Sequence, residues 1–348
     1  MKVLYGVQGT GNGHIARARA MAKSLERKGL DVDYLFSGRD DSKYFSMQEF
    51  GDYQTRRGLS FVTERGRVNY LKSAFSNSLW HFWNDVNRLD LSNYDLVISD
   101  FEPVSAWAAK KQNVPSMSIS HQNAFRYDVP LRGANWLDKR VIEHFAPADH
   151  RIGLHWHHFD QPILPPIIHA PDAVSKEEPF VLVYLPFESL SDISELLLRF
   201  TTQPFICFHP EVVEYHQVDN VEYYPLSLEA FQCYLSRCKG VIANGGFELP
   251  SEAMMLGKKL LLKPLNGQFE QMSNVATLEE LGLASGMNTL DAALVRHWLD
   301  EERGESVRYP DVAAALADWI MEGDWEETAH LTQSLWDKVD FPSYFTRS

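Results

Sequence analysis

The sequence predicts an α/β protein with two doubly wound domains that face each other across a cleft. Three observations predict this fold: a length of 348 residues, short apolar runs that alternate with helical patterns, and a proline-rich break between residues 159 and 180. At about 100–200 residues per domain, the length suits two domains. Strand–helix alternation is typical of parallel sheets that are covered by helices on both faces.

The first half alternates strands and helices in a regular order. An apolar run at residues 3–7 predicts a buried strand, a glycine loop follows at residues 9–13, and residues 15–28 have the apolar spacing of a helix that Gly29 ends. Further strands are predicted at 32–36, 96–99 and 116–120, with a helix that includes 107–111 before the last of them. We therefore predict an N-terminal domain at residues 1–160.

The second half repeats the pattern after a break. The prolines of residues 159–180 predict a semi-rigid linker at 161–178. Beyond it, the sequence predicts strands at 181–185, 205–208, 240–243 and 259–262, and helices at 193–200, 228–235 and 249–256. These elements predict a second domain at residues 179–328. Because ligands bind outside the carboxyl ends of parallel strands, two such sheets are expected to form a cleft.

Composition excludes several classes of protein. The net charge of −14 argues against a general nucleic-acid binder. Residues 1–150 hold 20 basic and 17 acidic side chains, against 13 and 30 in the remainder, which indicates two units with different surfaces or simple compositional drift. The three cysteines suit neither a disulfide framework nor a zinc site. No apolar run is long enough for a membrane span or a signal peptide, so a cytoplasmic location is expected.

A glycine loop joins the first strand to the first helix and ends at His14. A dinucleotide fingerprint fits this loop poorly, because His14 takes its sixth position and no acidic residue ends the second strand at Ser37 and Gly38. His14 and Asp100 both follow strands, so they can reach one cleft as a base and the carboxylate that orients it. The alternative is that His14 only packs or caps, and that Asp100 caps the next helix.

A second glycine turn, Gly245 and Gly246, follows a strand and opens a helix. Such a turn lets the backbone approach a ligand, and a helix N-terminus can receive a phosphate. Glu252 lies one turn into that helix and can accept hydrogen bonds from a ribose diol. The alternatives are an ordinary turn and a solvated glutamate. Polar residues follow the next strand and are able to contact sugar hydroxyls: Asn266, Gln268, Glu270, Gln271 and Asn274.

These segments together resemble a known family. Residues 223–284 resemble the donor-binding half of GT-B glycosyltransferases, and are most similar to the MurG-like N-acetylglucosaminyltransferases (glycosyltransferase family 28) and the UDP-glycosyltransferases. The loop ending at His14 resembles the first loop of both groups, and residues 120–123 resemble the Glu-Gln-Asn segment of MurG-like proteins, with His121 in place of the acid. Two departures indicate a separate branch: residues 185–188 replace a Gly-Gly-Ser loop, and Asp100 matches only the UDP-glycosyltransferases.

The resemblance implies a GT-B fold of two Rossmann-like domains and a role for each candidate residue. A C-terminal helix at 329–348 is expected to cross back to the first domain through the apolar stripe Leu331, Leu335, Val339 and Phe341. His14 is implied as the base and Asp100 as its orienting partner. The implied donor-binding residues are Tyr224, Gly245, Gly246, Phe247, Glu248, Glu252, Glu270 and Gln271. The implied acceptor-side residues are Gly11, Asn12, Gly13, His121, Gln122 and Asn123.

The implied activity is transfer of a sugar, a hexose or N-acetylhexosamine, from a UDP-sugar to an unidentified hydroxyl acceptor. The family implies inversion, no metal ion and no cofactor. Two alternatives stay open, a sugar-nucleotide 2-epimerase on the same fold and a non-catalytic sugar-nucleotide-binding protein. A nicotinamide-dependent dehydrogenase is a third, less favoured one.

A basic and aromatic stretch at residues 56–83 bears on the acceptor. Its basic members are Arg56, Arg57, Arg65, Arg67 and Lys72, and its aromatic members are Tyr70, Phe75, Trp80, Phe82 and Trp83. Such a surface suits a carbohydrate or an anionic lipid-linked acceptor, with peripheral contact at the inner face of the membrane. A packed helix with solvated arginines is the favoured alternative.

Overall fold

The N-terminal sheet is built from seven parallel strands. The computed structural model describes residues 1–59, 63–64, 67–68, 79–168, 176–302 and 304–345. In chain order, the described N-terminal elements are β1 (Lys2–Gln8), α1 (Asn12–Arg27), β2 (Asp31–Ser37), β3 (Gln54–Arg56), β4 (Thr63–Glu64), β5 (Arg67–Val68), α2 (Leu79–Arg88), β6 (Leu96–Asp100), α3 (Pro103–Gln112), β7 (Ser116–Ser120), α4 (Trp136–His144), β8 (His150–Leu154) and β9 (Ile163–Leu164). The sheet order is β3-β2-β1-β6-β7-β8-β9, and β4 pairs with β5 apart from it.

Both faces of this sheet are covered, which explains the continuous apolar runs of its strands. On β1, Val3, Tyr5 and Val7 belong to the core that includes α1, whereas Leu4 belongs to a second core with α2 and α3. Successive side chains of a strand point to opposite faces, so a strand between two helical layers needs apolar residues at every position.

The C-terminal sheet has the same architecture. Its elements are β10 (Val181–Tyr184), α5 (Leu190–Leu197), β11 (Phe205–Phe208), β12 (His216–Val218), β13 (Val221–Tyr224), α6 (Leu228–Arg237), β14 (Gly240–Asn244), α7 (Glu248–Met255), β15 (Lys259–Lys263), α8 (Phe269–Glu280), β16 (Ser285–Gly286), α9 (Ala292–Asp300), α10 (Val312–Glu322) and α11 (Ala329–Trp336). The order is β12-β13-β11-β10-β14-β15-β16, with β12 antiparallel to β13. The doubly wound α/β fold predicted from the sequence is confirmed.

The structure differs from the predicted linker at 161–178. Ile163 and Leu164 form β9, the last strand of the first sheet, and pair with β8. Prolines at 162 and 165 flank this strand and hid it in the sequence, although edge strands tolerate proline. The first sheet therefore extends into the predicted linker.

The C-terminal segment crosses back to the first domain as expected, but its helix α11 ends at Trp336, so the predicted helix at 329–348 is too long and Val339 and Phe341 lie beyond it. Leu331 and Leu335 on α11 are buried, and the indole Nε1 of Trp336 donates a hydrogen bond to the carbonyl oxygen of Ile163 at 2.6 Å. Because Ile163 lies in the first sheet, this end of the chain ties the second domain to the first.

Candidate active site

Helices α1 and α7 begin next to each other although they belong to different domains. Each follows a parallel strand through a glycine turn. A Cβ atom added to Gly13 on α1 would lie 3.1 Å from Cγ of Glu248, the first residue of α7. Gly13 therefore allows a close approach that a larger residue would hinder. Candidate residues from both halves of the sequence meet at this point.

His14 and Asp100 are in contact. Nδ1 of His14 lies 2.8 Å from Oδ1 of Asp100. Parallel pairing of β1 with β6 places Asp100 beside Val7, close to the start of α1. Nη2 of Arg17 lies 3.1 Å from the same nitrogen. A proton on Nδ1 that is donated to the carboxylate leaves the lone pair on Nε2. Asp100 does not cap the following helix, because the Glu102 carboxylate accepts hydrogen bonds from that helix's first amides.

Arg17 completes the cluster, and the sequence analysis missed it. Its Nε donates to Oδ2 of Asp100 at 2.7 Å and its Nη2 to Oδ1 at 2.8 Å. Its Nη1 donates to Oε1 of Glu248 in the other domain. The available signal was its position three residues after His14, which places both on one face of α1.

The charges of this cluster shift its carboxyl groups in opposite directions. Burial alone would raise the pKa of Asp100, but the Arg17 guanidinium and His14 hold it below its usual range. Glu248 shares the same guanidinium and lies near Glu252 and Asp100. Burial, reinforced by these carboxylates, raises the pKa of Glu248 to about 8.

A pocket of about 130 Å³ lies between the two domains beside His14. Its first-domain wall includes residues on both sides of His14 in the sequence, and its second-domain wall is largely apolar. The side chains that give the pocket its shape and polarity include Asn12, Arg19, Tyr184, Phe231, Gln232 and Glu252. An apolar cavity with a few polar groups is typical of a small-molecule site.

Glu252 is one of the two carboxyl groups that line this pocket, together with Glu248. Burial raises the pKa of Glu252 to about 7, although Arg19 acts in the opposite direction. It lies four residues after Glu248, so both face the interdomain space from the same side of α7.

The helices that begin at the site lack side-chain caps. Gly11 precedes α1, Phe247 precedes α7 and Gln268 precedes α8, and in each case no side chain accepts a hydrogen bond from the first turn. The amides of a helix start carry partial positive charge, so these three helix starts suit an anion.

Tyr224 lies outside the pocket. Its hydroxyl donates to Glu222 at 2.9 Å and contacts the Tyr234 hydroxyl at 2.7 Å, and its ring stacks on Phe208. The pocket wall is formed two residues further on, by residues 226–228. Residues 226–228, and not Tyr224, therefore line the pocket.

The glycine pair at the start of α7 divides into a packing residue and an open one. A Cβ atom at Gly245 would lie 2.7 Å from Val275 of α8, whereas one at Gly246 would meet nothing within 4 Å. Phe247 is buried, and its ring stacks on His121 with the ring centres 3.9 Å apart. Of Gly245, Gly246 and Phe247, Gly246 is therefore the residue with space for a ligand beside it.

His121 and Gln122 join the two domains. The His121 ring contacts the Leu154 carbonyl oxygen through Nδ1 at 2.8 Å and Oδ1 of Asn274 through Nε2 at 2.7 Å. Gln122 donates to Glu270 at 3.1 Å. Burial lowers the pKa of His121. Both residues lie at the domain interface.

Asn123 and Gln271 hold backbone in place. Asn123 donates to the carbonyl oxygens of Ser118 and Ile152, both at 3.1 Å, which ties β7 to β8. Oε1 of Gln271 accepts a hydrogen bond from the Leu265 amide at 2.9 Å, which shapes the loop before α8. Their amide groups are used in the fold.

Asn12 bridges the domains at the pocket. Its Nδ2 donates to the Tyr184 hydroxyl at 3.2 Å, and its Oδ1 accepts from Arg39 at 3.0 Å. Gly11, the residue before it, is extended. Asn12 therefore links the glycine loop of the first domain to the end of β10.

The loop that departs from the MurG-like pattern holds a buried ion pair. Nζ of Lys263 at the end of β15 lies 2.6 Å from Oε1 of Glu188, and both side chains are nearly buried. This loop contributes to a pair within the second domain.

The stretch 56–83 is described only in part. Phe82 is buried, whereas Trp80 and Trp83 are 71% and 42% exposed. Residues 65, 70, 72 and 75 lie outside the described residues, as does the side chain of Arg67.

Over the described ranges, no helix is long and apolar enough to cross a membrane. Among all the residues that the structure describes, no group of three or more His, Cys, Asp or Glu side chains is placed to hold a metal ion.

Comparisons with known proteins identify the family and the fold of this chain. The family model described as Glycosyl transferase family 1 matches residues 1–301. Among solved structures, TcCGT1 in complex with UDP has a TM-score of 0.58 at 12% identity, with 95% of this chain and 94% of that chain covered. The glycotransferase of kitacinnamycin has a TM-score of 0.57 at 14% identity, with 97% and 99% covered.

MurG from Acinetobacter baumannii has a TM-score of 0.51 at 16% identity, with 97% of this chain and 99% of that chain covered. At these identities the three structures establish the fold. No protein with a curated description matches this chain.

Proposed function

The chain belongs to glycosyl transferase family 1 and is a glycosyltransferase on the GT-B fold, and we propose that it transfers a sugar from a UDP-sugar to a hydroxyl acceptor with inversion and without a metal ion. The observation that carries the proposal is the 2.8 Å contact of His14 with Asp100 beside the pocket that contains Glu252.

His14 is the proposed base. The acceptor oxygen attacks the anomeric carbon while its proton passes to Nε2 of His14, and the bond to the diphosphate breaks on the opposite face. Asp100 accepts the hydrogen bond from Nδ1 and stabilises the imidazolium that forms. A base held in this way contributes about 10²–10⁴-fold to the rate.

The donor nucleotide is proposed to occupy the interdomain pocket. Glu252 accepts hydrogen bonds from the ribose diol, and the nucleobase lies against the wall formed by residues 226–228 and Phe231. The diphosphate lies at the uncapped start of α7, where Gly246 leaves space. The helix dipole there stabilises the leaving group, which is the role of a metal ion in other enzymes.

The donor sugar is proposed to be a hexose or N-acetylhexosamine near Glu270, which already contacts Gln122 of the first domain. The acceptor is a carbohydrate or a lipid-linked sugar, and the protein acts in the cytoplasm, with peripheral membrane contact through exposed Trp80 and Trp83. Vesicles with and without anionic lipid test that contact, since Trp80→Ala with Trp83→Ala should reduce binding to both and an unchanged bound fraction would contradict it.

Thermal unfolding with UDP, ADP, dTDP, GDP and NAD, each with and without EDTA, tests the donor. A ligand at 100 times its Kd stabilises the folded state by about 2.7 kcal/mol, which raises the Tm by several degrees. We expect a shift that is selective for UDP and survives EDTA. A shift with NAD alone would overturn the proposal, and conversion of a UDP-sugar to its epimer without an acceptor would assign the site to a 2-epimerase.

A further inference from the structure

The guanidinium of Arg17 is buried between the two domains and uses all of its nitrogens. The side chain is 2% exposed. Nε and Nη2 donate to the two oxygens of Asp100 on the first domain, and Nη1 donates to Glu248 on the second. One side chain thus connects the partner of His14 to the first residue of α7.

The fork of Arg17 fixes the plane of the Asp100 carboxylate. Two parallel hydrogen bonds from a planar guanidinium hold a carboxylate in one orientation, which a lysine ammonium does not. That orientation directs Oδ1 at Nδ1 of His14, so the tautomer of His14 depends on a residue that does not itself exchange a proton.

Arg17 also balances charge in the buried cluster. Asp100 is fully buried, and without a cation beside it a buried carboxylate draws a proton from its surroundings. The Arg17 guanidinium holds the pKa of Asp100 below its usual range, so the carboxylate stays ionised and can accept a hydrogen bond from Nδ1 of His14.

We propose that Arg17 is a positioning residue that orients the Asp100 carboxylate toward His14, and that its contact with Glu248 makes this arrangement depend on closure of the second domain onto the first. The proposal rests on the proposed role of His14 as base. The other titratable groups that act on the cluster are Tyr5 on β1, His121 after β7 and Glu252 on α7.

Histidine-selective ¹⁵N NMR tests the arrangement without any substrate. The His14 signals are identified by their loss in His14→Asn. In the wild-type protein we expect the tautomer with the proton on Nδ1. In Arg17→Gln we expect the proton to move to Nε2, because a protonated Asp100 carboxyl donates to Nδ1 instead of accepting from it. Arg17→Lys keeps the positive charge but not the two parallel hydrogen bonds, so we expect mixed tautomers.

The closure step is tested by Glu248→Ala and Glu248→Gln. The alanine variant removes the partner of Nη1, and the glutamine variant keeps an oxygen in its place. We expect a change in the His14 signals in the alanine variant and partial recovery in the glutamine variant. The matched control is Arg132→Gln, which removes a different interdomain pair, with Glu279 at 3.4 Å, and should leave the His14 signals unchanged.

Release of UDP from UDP-glucose, with water as acceptor, supplies the kinetic readout. A misplaced catalytic group costs about 10²-fold in rate. We expect kcat of Arg17→Lys to fall by that factor with a KM for UDP-glucose within threefold, and the acidic limb of its pH profile to change.

The outcomes separate this proposal from the one it rests on. Wild-type His14 signals in folded Arg17→Lys and Glu248→Ala would overturn the positioning role, whatever the activity. If instead the signals change as expected but His14→Asn releases UDP at the wild-type rate, Arg17 positions His14 and His14 is not the base. Should Arg17→Gln fail to fold, the His14 signals of Arg17→Lys and of the Glu248 variants test the positioning role of Arg17.

Discussion

Helices α1 and α7 begin side by side on equivalent scaffolds, yet they carry opposite chemistry. Both follow a buried parallel strand and a glycine turn, and neither has a side-chain cap. The first turns of α1 carry His14 and Arg17, whereas α7 carries Glu248 and Glu252. The scaffold therefore provides two helix starts, and the side chains of the first two turns determine what each one does.

The difference separates two tasks. On α1, a cation lowers the pKa of Asp100 and a histidine keeps a free nitrogen, which suits proton transfer. On α7, burial raises the pKa values of two carboxyl groups, and an uncapped helix start lies beside an open glycine, which suits nucleotide binding. Substitution of His14 or Arg17 should therefore change turnover, and substitution of Glu252 should change nucleotide affinity.

Removal of the base should have the largest effect. We expect His14→Ala to lower kcat by about 10²–10⁴-fold, because that is the contribution of a positioned general base. The Kd for UDP should stay within about threefold, since His14 does not line the pocket. UDP release and calorimetric UDP titration measure the two quantities. Near-normal turnover would show that the base is elsewhere.

Loss of the carboxylate should also lower stability. Asp100→Ala leaves the buried Arg17 guanidinium with Glu248 as its remaining carboxyl partner, and the raised pKa of Glu248, about 8, leaves that group mostly uncharged at pH 7. Breaking a buried ion pair costs about 3–5 kcal/mol. We expect a lower urea midpoint with an unchanged m-value. Asp100→Asn keeps the size and one acceptor but also removes the charge, so a loss as large as that of Asp100→Ala would support the ionic explanation, and near-wild-type stability of Asp100→Asn would contradict it.

The sequence predicted the scaffold well because periodicity and glycine turns record local structure. The strands before His14 and Asp100 were predicted, and their parallel pairing brings these residues to the same sheet edge. Glu252 was placed by its position one turn into a helix that opens at a glycine pair. Each of these predictions needs only local pattern and the general rule on strand ends.

The sequence failed where a role depends on contacts between distant segments. Arg17 reads as an ordinary helix arginine until Asp100 and Glu248 are seen beside it. Gln271 and Asn123 have the residue type of sugar ligands, but each has amide atoms committed to backbone groups. Pairing across 83 and 231 positions has no local signature.

On the α7 side, we expect a moderate effect on affinity. Glu252→Gln replaces a charge-assisted acceptor of the ribose diol with a neutral one, which should weaken UDP binding about tenfold, or about 1.4 kcal/mol. In the wild-type protein the affinity should rise between pH 6 and 8, as Glu252 ionises near its pKa of about 7. Calorimetry at several pH values should show a weaker pH dependence in the variant. An identical dependence in both proteins would remove Glu252 from the nucleotide site.

The same raised pKa predicts the opposite trend for the ligand-free protein. Burial keeps the Glu252 carboxyl protonated in the folded state at pH values where the unfolded chain has lost that proton. Its contribution to stability is therefore fully present below the unfolded pKa and is lost as pH rises through about 7. Glu252→Gln should lose less stability than the wild type between pH 5 and 8 in urea unfolding. A steeper loss in the variant would contradict the raised pKa.

The smallest effect should come from the neutral hydrogen bond between Asn12 of the first domain and Tyr184 of the second. Tyr184→Phe removes the hydroxyl that accepts from Asn12 at 3.2 Å, while the ring keeps its place against Phe231. A neutral hydrogen bond contributes about 0.5–1.5 kcal/mol, so the Tm should fall slightly and turnover should stay within a few-fold of the wild type. Asn12→Ala is the harsher counterpart, because it also leaves Arg39 without an acceptor. If Tyr184→Phe lowered turnover as much as His14→Ala, the hydrogen bond between Tyr184 and Asn12 would take part in catalysis. The assignment of proton transfer to His14 alone would then be wrong.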